Sequence, residues 1–176
     1  MPGRRRTWLS RATLAALAPL LLCTGCTVPI DAVAGITVTT DGRVAGAIMV
    51  CGHHIDGASA YVDGPGSAQE KTLGDWESKH PLHHGLTLWP LDAEEPAATP
   101  SWRTRTPLTP LRPHTAYTLY GWTRDNSWSA AEVTFTRTDL TRLSPGTIPY
   151  TKSTETADYL AAVPAAEFAA KTCEHM

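Results

Sequence analysis

The chain has 176 residues, 42% hydrophobic and 18% charged, which is enough for one domain with a real core and too few for two of ordinary size. Fourteen Pro and thirteen Gly scattered among short apolar runs argue against a helical bundle. A formal charge of -2, with pI near 6.4, argues against nucleic-acid binding as the main task.

The first 25 residues read as an export leader. Arg4, Arg5, Arg6 and Arg11 make a basic start, Ala12 to Leu22 is an apolar run broken only by Thr13 and Pro19, and Cys23-Thr24-Gly25-Cys26 follows. A run of eleven residues is too short to span about 30 Å of hydrocarbon as a helix. Thr24 and Gly25 directly before Cys26 resemble a bacterial lipobox, with Cys23 where that motif prefers Leu. The resemblance implies cleavage before Cys26 and a diacylglycerol on its sulfur, hence a protein held at the outer face of the cytoplasmic membrane; plain secretion is the other reading. Arg5-Arg6-Thr7-Trp8-Leu9 also resembles a twin-arginine export motif, although an ordinary basic leader is the preferred reading. The leader holds four of the fifteen Lys and Arg and no acid, leaving eleven positive against seventeen negative side chains, a formal -6. Such a domain depends on acyl chains to stay on an anionic membrane.

If Cys23 leaves with the leader and Cys26 carries lipid, Cys51 and Cys173 remain in an oxidising compartment and are expected to pair. Two free thiols or a zinc site are the alternatives, the latter disfavoured because neither cysteine sits in a CxxC pair.

After a tether (26–31), one domain is expected over 32–176. Val33 to Thr40 alternates and ends at Asp41-Gly42, so the pattern predicts strand, hairpin turn and strand, with Val44 to Cys51 a buried strand. Ile55 to Val62 is a third strand, closed by Asp63-Gly64-Pro65-Gly66. Thr72 to Ser78, Gly85 to Leu91 and Arg103 to Leu108 are shorter candidates, separated by a loop over Asp92 to Pro100. Ala116 to Thr136 reads as a hairpin turning at Asp125-Asn126-Ser127. Residues 137–150 read as an irregular extension and 151–158 as polar. A helix from Pro164 through Lys171 then carries Cys173 toward Cys51.

Leu111-Arg112-Pro113-His114-Thr115-Ala116-Tyr117 resembles the fibronectin type III pattern Leu-x-Pro-Gly-Thr-x-Tyr, with His114 in place of Gly. The resemblance covers about residues 106–136 and implies a tyrosine corner at Tyr117. The expected fold is therefore all-β, an immunoglobulin-like (fibronectin type III-like) antiparallel sandwich with a short C-terminal helix. The lipobox, Cys51-Gly52-His53-His54-Ile55-Asp56-Gly57, the stretch Gly121 to Trp128 and the late cysteine together resemble small uncharacterised secreted lipoproteins of Gram-positive bacteria, a resemblance that implies no activity.

Chemistry is sparse. His53 and His54 beside Asp56, and His80 with His83 and His84, are the only metal-like groups; Pro81 points to a loop between the latter, and neighbours such as His53 and His54 face opposite ways on a strand. Gly57-Ala58-Ser59-Ala60 is not a nucleophile elbow, no Gly-rich phosphate loop occurs, and neither an enzyme nor a bound cofactor is expected. Binding remains: an interaction module for an unknown protein or glycan, or a zinc- or copper-capturing lipoprotein built on the histidines. If Tyr117, Leu119 and Gly121 face the core opposite Phe135, Val133 and Ala131, then Trp122 lies opposite Ala130 and Arg124 opposite Trp128. Tyr120, Trp122, Arg124 and Trp128 would then share an outer face. Cover by the extension after 137, or by 64–105, is the competing expectation for that face.

Overall fold

Alternation and turn chemistry place the first hairpin as expected. In a computed structural model describing residues 27–62, 71–92, 102–154 and 156–174, β1 (Ile30–Val38) pairs antiparallel with β2 (Val44–Val50). Gly42 closes their loop at φ 80, a left-handed conformation that glycine enters without steric cost. The leader, Cys26, the turn at 63–66 and the loop over 93–100 lie outside the described residues.

β3 (Ile55–Val62), β4 (Lys71–Leu82), β5 (Gly85–Pro90), β6 (Trp102–Thr106), β7 (Ala116–Trp122), β8 (Ser129–Ala131) and β9 (Val133–Thr136) complete a nine-stranded sheet. Its order is β5-β2-β1-β8-β7-β3-β4-β6, with β9 paired to β7. All pairs are antiparallel except β1 with β8. The sheet rolls into a sandwich close to a barrel, because the indoles of its two end strands meet in the core: Trp89 on β5 stacks on Trp102 on β6 with ring centres 4.5 Å apart. The fold is thus all-β with a short C-terminal helix, as the strand pattern implied.

Two core tryptophans, Trp89 and Trp76, sit on glycines. A Cβ at Gly46 would fall 2.5 Å from two ring atoms of its cross-strand partner Trp89, and one at Gly74 would fall 2.4 Å from Trp76. The missing side chains make room for the rings to lie on the backbone.

Tyr117 makes the expected corner contact, accepting a hydrogen bond from the Arg112 N–H at 2.6 Å. Between them His114, which stands where the fibronectin pattern has Gly, adopts φ 58, in the left-handed region that favours glycine. A Cβ there crowds the following carbonyl, at a cost of about 1–2 kcal/mol. His114→Gly is therefore expected to raise the urea midpoint by relieving that strain, by up to about 1 kcal/mol after the added freedom of the unfolded chain is subtracted. A lowered midpoint would show that the imidazole is needed.

The hairpin from Ala116 departs from the expected register. Tyr117↔Phe135 and Leu119↔Val133 pair as anticipated, but Trp122 then pairs with Ser129 rather than Ala130. Glu132 falls between β8 and β9 as an extra residue, where the chain leaves its place between β7 and β1 and goes on paired with β7. Ala130, not Ala131, consequently packs inward beneath Gly121, and Arg124 is not opposite Trp128, whose carbonyl instead accepts from the Thr123 N–H at 3.2 Å.

The segment after 136 is also more regular than its composition implied. Thr136 caps α1 (Arg137–Thr141) in a capping box with Asp139, and β10 (Thr147–Ser153) and β11 (Asp158–Pro164) form a separate two-stranded sheet ahead of α2 (Ala165–Lys171). This unit covers the outer side of β1 and β2 through a second small core of Val33, Ala47, Met49, Ile148 and Phe168. β1 and β2 are thus buried on both faces, which explains their nearly unbroken apolar sequences. The Cys51–Cys173 disulfide joins the end of β2 to the segment after α2 with Cα atoms 5.4 Å apart, so the pairing expected from the cysteine count is present.

Candidate functional site

Trp122 ends β7 directly opposite Gly57 on β3. A Cβ on Gly57 would lie 2.2 Å from Cζ2 of Trp122 and 2.5 and 2.7 Å from the flanking Cη2 and Cε2; an added atom at those distances lies above the ring, not beyond its edge. The indole therefore rests face down on the glycine. Its Nε1–H donates to Ser59 Oγ at 2.9 Å, and that hydroxyl donates to Asp75 Oδ1 at 2.8 Å. The ring is fixed in plane and in rotation, with its second face turned away from the sheet.

A second indole is held comparably. The Trp128 ring stacks on His53 with ring centres 3.6 Å apart, and Nδ1 of His53 lies 2.8 Å from Asp31 Oδ2. The His53 backbone N–H also donates to that carboxylate. Tyr120 meets Tyr61 edge to face at 5.7 Å, and the Tyr61 hydroxyl donates to Glu132 Oε2 at 2.9 Å.

Tyr120, Trp122 and Trp128 are half-buried and line one groove of about 760 Å³. Its opposite wall comes from the β10–β11 hairpin, through Tyr159 and Leu160, both well exposed. The extension after 137 thus neither seals the aromatic face into a second core nor leaves it flat; it makes the face concave. Among the described residues the lining includes two carboxylates, Glu132 and Asp158, and neither Lys nor Arg. Val28 and Ile30 border it, Ile30 opening β1, which starts inside the span expected as tether.

Arg124 does not join the other three. Its guanidinium Nη1 donates to Asp56 Oδ1 at 3.1 Å, Nε to Glu77 Oε1 at 2.9 Å and Nη2 to the Ser78 carbonyl at 3.0 Å, while its backbone N–H donates to Asp56 Oδ2 at 2.9 Å. Residues after the 122–129 pair are one place out of the expected register, and the arginine is drawn toward β3 and β4. The hydrogen bond from Arg124, opposed by burial and aided by Arg105, holds the Glu77 carboxyl below its ordinary value of 4.5. A depressed carboxylate contributes stability that is complete above its unfolded-state value and is lost as pH falls through the folded-state value. Wild type should therefore melt higher than Glu77→Gln at neutral pH, with the difference vanishing as melts move below pH 4.5. A difference that persists at the acid end would assign the effect to packing instead.

The histidines separate. His53 belongs to the Trp128 clamp. His54 lies 3.6 Å from Asp56 through Nε2, with its ring 6.5 Å from that of His83, the one approach between the two histidine groups seen among the described residues. His80 and Pro81 lie within β4 rather than a loop, and His84 is exposed on the turn into β5. Among the described residues no group of three or more His, Cys, Asp or Glu is placed to hold a metal ion.

Several residues that line the groove or hold its indoles were not singled out by sequence: Glu132, Asp158 and Tyr159 in the lining, Gly57 and Asp31 behind it. Gly57 was the one with a signal, since glycine inside a strand marks a close approach of another group to the backbone. No family model matches the chain, and no curated protein or solved structure matches it significantly.

Proposed function

We propose that the protein is a lipid-anchored extracytoplasmic binding module, resembling the small lipoproteins of Gram-positive bacteria, carrying a diacylglycerol on Cys26 and displaying a ligand groove at the outer face of the cytoplasmic membrane. The observation that carries this reading is the groove, whose two indoles are immobilised by neighbouring side chains and yet keep surface facing solvent space. Rigid aromatic anchors lose little entropy on binding, and a concave site with a few polar groups is the usual form of a ligand site. Val28 borders the groove two residues after Cys26, a reach of at most about 7 Å along extended chain, so an anchor on that cysteine holds the groove close to the lipid surface. The β2–β5 and β3–β7 pairings and the Tyr117 corner support the fibronectin type III-like variety of the sandwich.

Two measurements test the reading. Mass spectrometry of the processed N-terminus should find a diacylglyceryl Cys26; an unmodified cysteine on a soluble product removes the anchor. A photo-crosslinking side chain at Leu160, on the exposed rim, should give a discrete envelope adduct in intact cells that is absent with a crosslinker at Leu88, remote from the groove. Equal labelling from both positions defeats the binding-module reading.

A further inference from the structure

Resting on that reading, we propose that the groove is a saccharide site: it takes an oligosaccharide bearing no acidic group and stacks one sugar ring on the free face of Trp122. The argument begins with what the indole offers. One face is closed by Gly57 and the N–H is already engaged by Ser59, so the ring can contribute only its other π-face. That face carries negative charge density. The polarised C–H groups on one side of a pyranose ring form a flat, weakly positive surface of matching size.

The remaining lining supplies the other half of sugar chemistry. Glu132 and Asp158 are acceptors suited to adjacent hydroxyl groups, and Asn126, Thr134 and Thr151 offer both donors and acceptors on the two walls. Two carboxylates without a lysine or arginine among the described lining residues repel uronate, sulfate or phosphate, so charge selects a neutral or amino-bearing sugar. Glu132 is itself oriented by the Tyr61 hydroxyl, so part of the polar set, like the indoles, is in place before a ligand arrives. A lysine-rich peptide shares the charge preference and is the competing outcome.

The processed protein is titrated, by calorimetry and tryptophan fluorescence, with chitotetraose, the deacetylated chitosan tetramer, tetragalacturonate and tetralysine. Chitotetraose and the chitosan tetramer should bind, and tetragalacturonate at least about tenfold more weakly. Trp122→Ala should weaken binding at least about tenfold, as should Tyr159→Ala on the exposed hairpin wall, where truncation leaves the two cores untouched. The near-ultraviolet signal of the buried Trp76, Trp89 and Trp102 reports that each variant is folded. Saccharide binding unchanged in Tyr159→Ala and in a folded Trp122→Ala, or tetragalacturonate binding as tightly as chitotetraose, overturns the proposal. So does the absence of binding by both uncharged and amino-bearing tetrasaccharides. Tetralysine binding alone would replace the sugar with a peptide and keep the groove; the Leu160 crosslink judges the binding-module reading independently of all four probes.

Discussion

Replacing both Cys51 and Cys173 with serine should lower stability by about 4 to 5 kcal/mol in the chain-entropy description, because the bridge closes a loop with a sequence separation of 122 residues. The loss should not be uniform. β10, β11 and α2 form their own sheet and meet the sandwich through the small core around Ile148 and Phe168, with Phe168 packed edge to face on Tyr150 at 5.3 Å. Without the bridge, that unit is held, among the described residues, by those contacts and the hydrogen bond from Thr37 Oγ1 to the Thr147 carbonyl. Amide exchange in 147–171 should therefore quicken more than in β3 and β7. Urea titration of the double variant against wild type checks the magnitude, and a difference below about 1 kcal/mol would mean that the reduced chain retains the loop by other means.

Trp89→Ala should cost about 3–5 kcal/mol, the range for deleting a large aromatic from a core. Trp89 is 1% exposed, stacks on Trp102, meets Trp76 edge to face at 6.1 Å, and covers Gly46. It thus fills the space where the two end strands of the rolled sheet face one another. Its N–H has no hydrogen-bond partner among the described residues, nor do those of Trp76 and Trp102, so the loss is one of packing and not of hydrogen bonding. Trp89→Phe should accordingly be much milder than the alanine variant. Equal losses from both substitutions would point to an unseen partner for the indole N–H.

Local signals carried much of the fold. Asp41-Gly42 marked the first hairpin, alternation marked β7 and β9, and the Leu-x-Pro-x-Thr-x-Tyr run located the corner at Tyr117, because turn chemistry and strand period act over a few residues. β10 and β11 stayed hidden because Pro149 and the alanines of β11 suit other conformations, and these strands are specified by one another and by the outer side of β1. The Thr136-x-x-Asp139 capping box, by contrast, is a local signal that the sequence carries.

Of the candidate site, Tyr120, Trp122 and Trp128 were identifiable from alternation and the turn, whereas Arg124 leaves them for Asp56 and Glu77 on β3 and β4, and its cross-strand partner is shifted by the single extra residue at Glu132. A bulge of that kind reflects β8 reaching β1 from a hundred residues away, and no neighbouring residue encodes it. By itself the sequence determined an all-β chain, its main turns and the two cysteines left to pair, since these follow from periodicity, composition and counting. Only the tertiary structure decided that Gly57 seats Trp122, that His53 clamps Trp128 and that the β10–β11 hairpin turns an aromatic face into a groove. Each depends on side chains distant in sequence meeting through packing, which is cooperative and has no local signature.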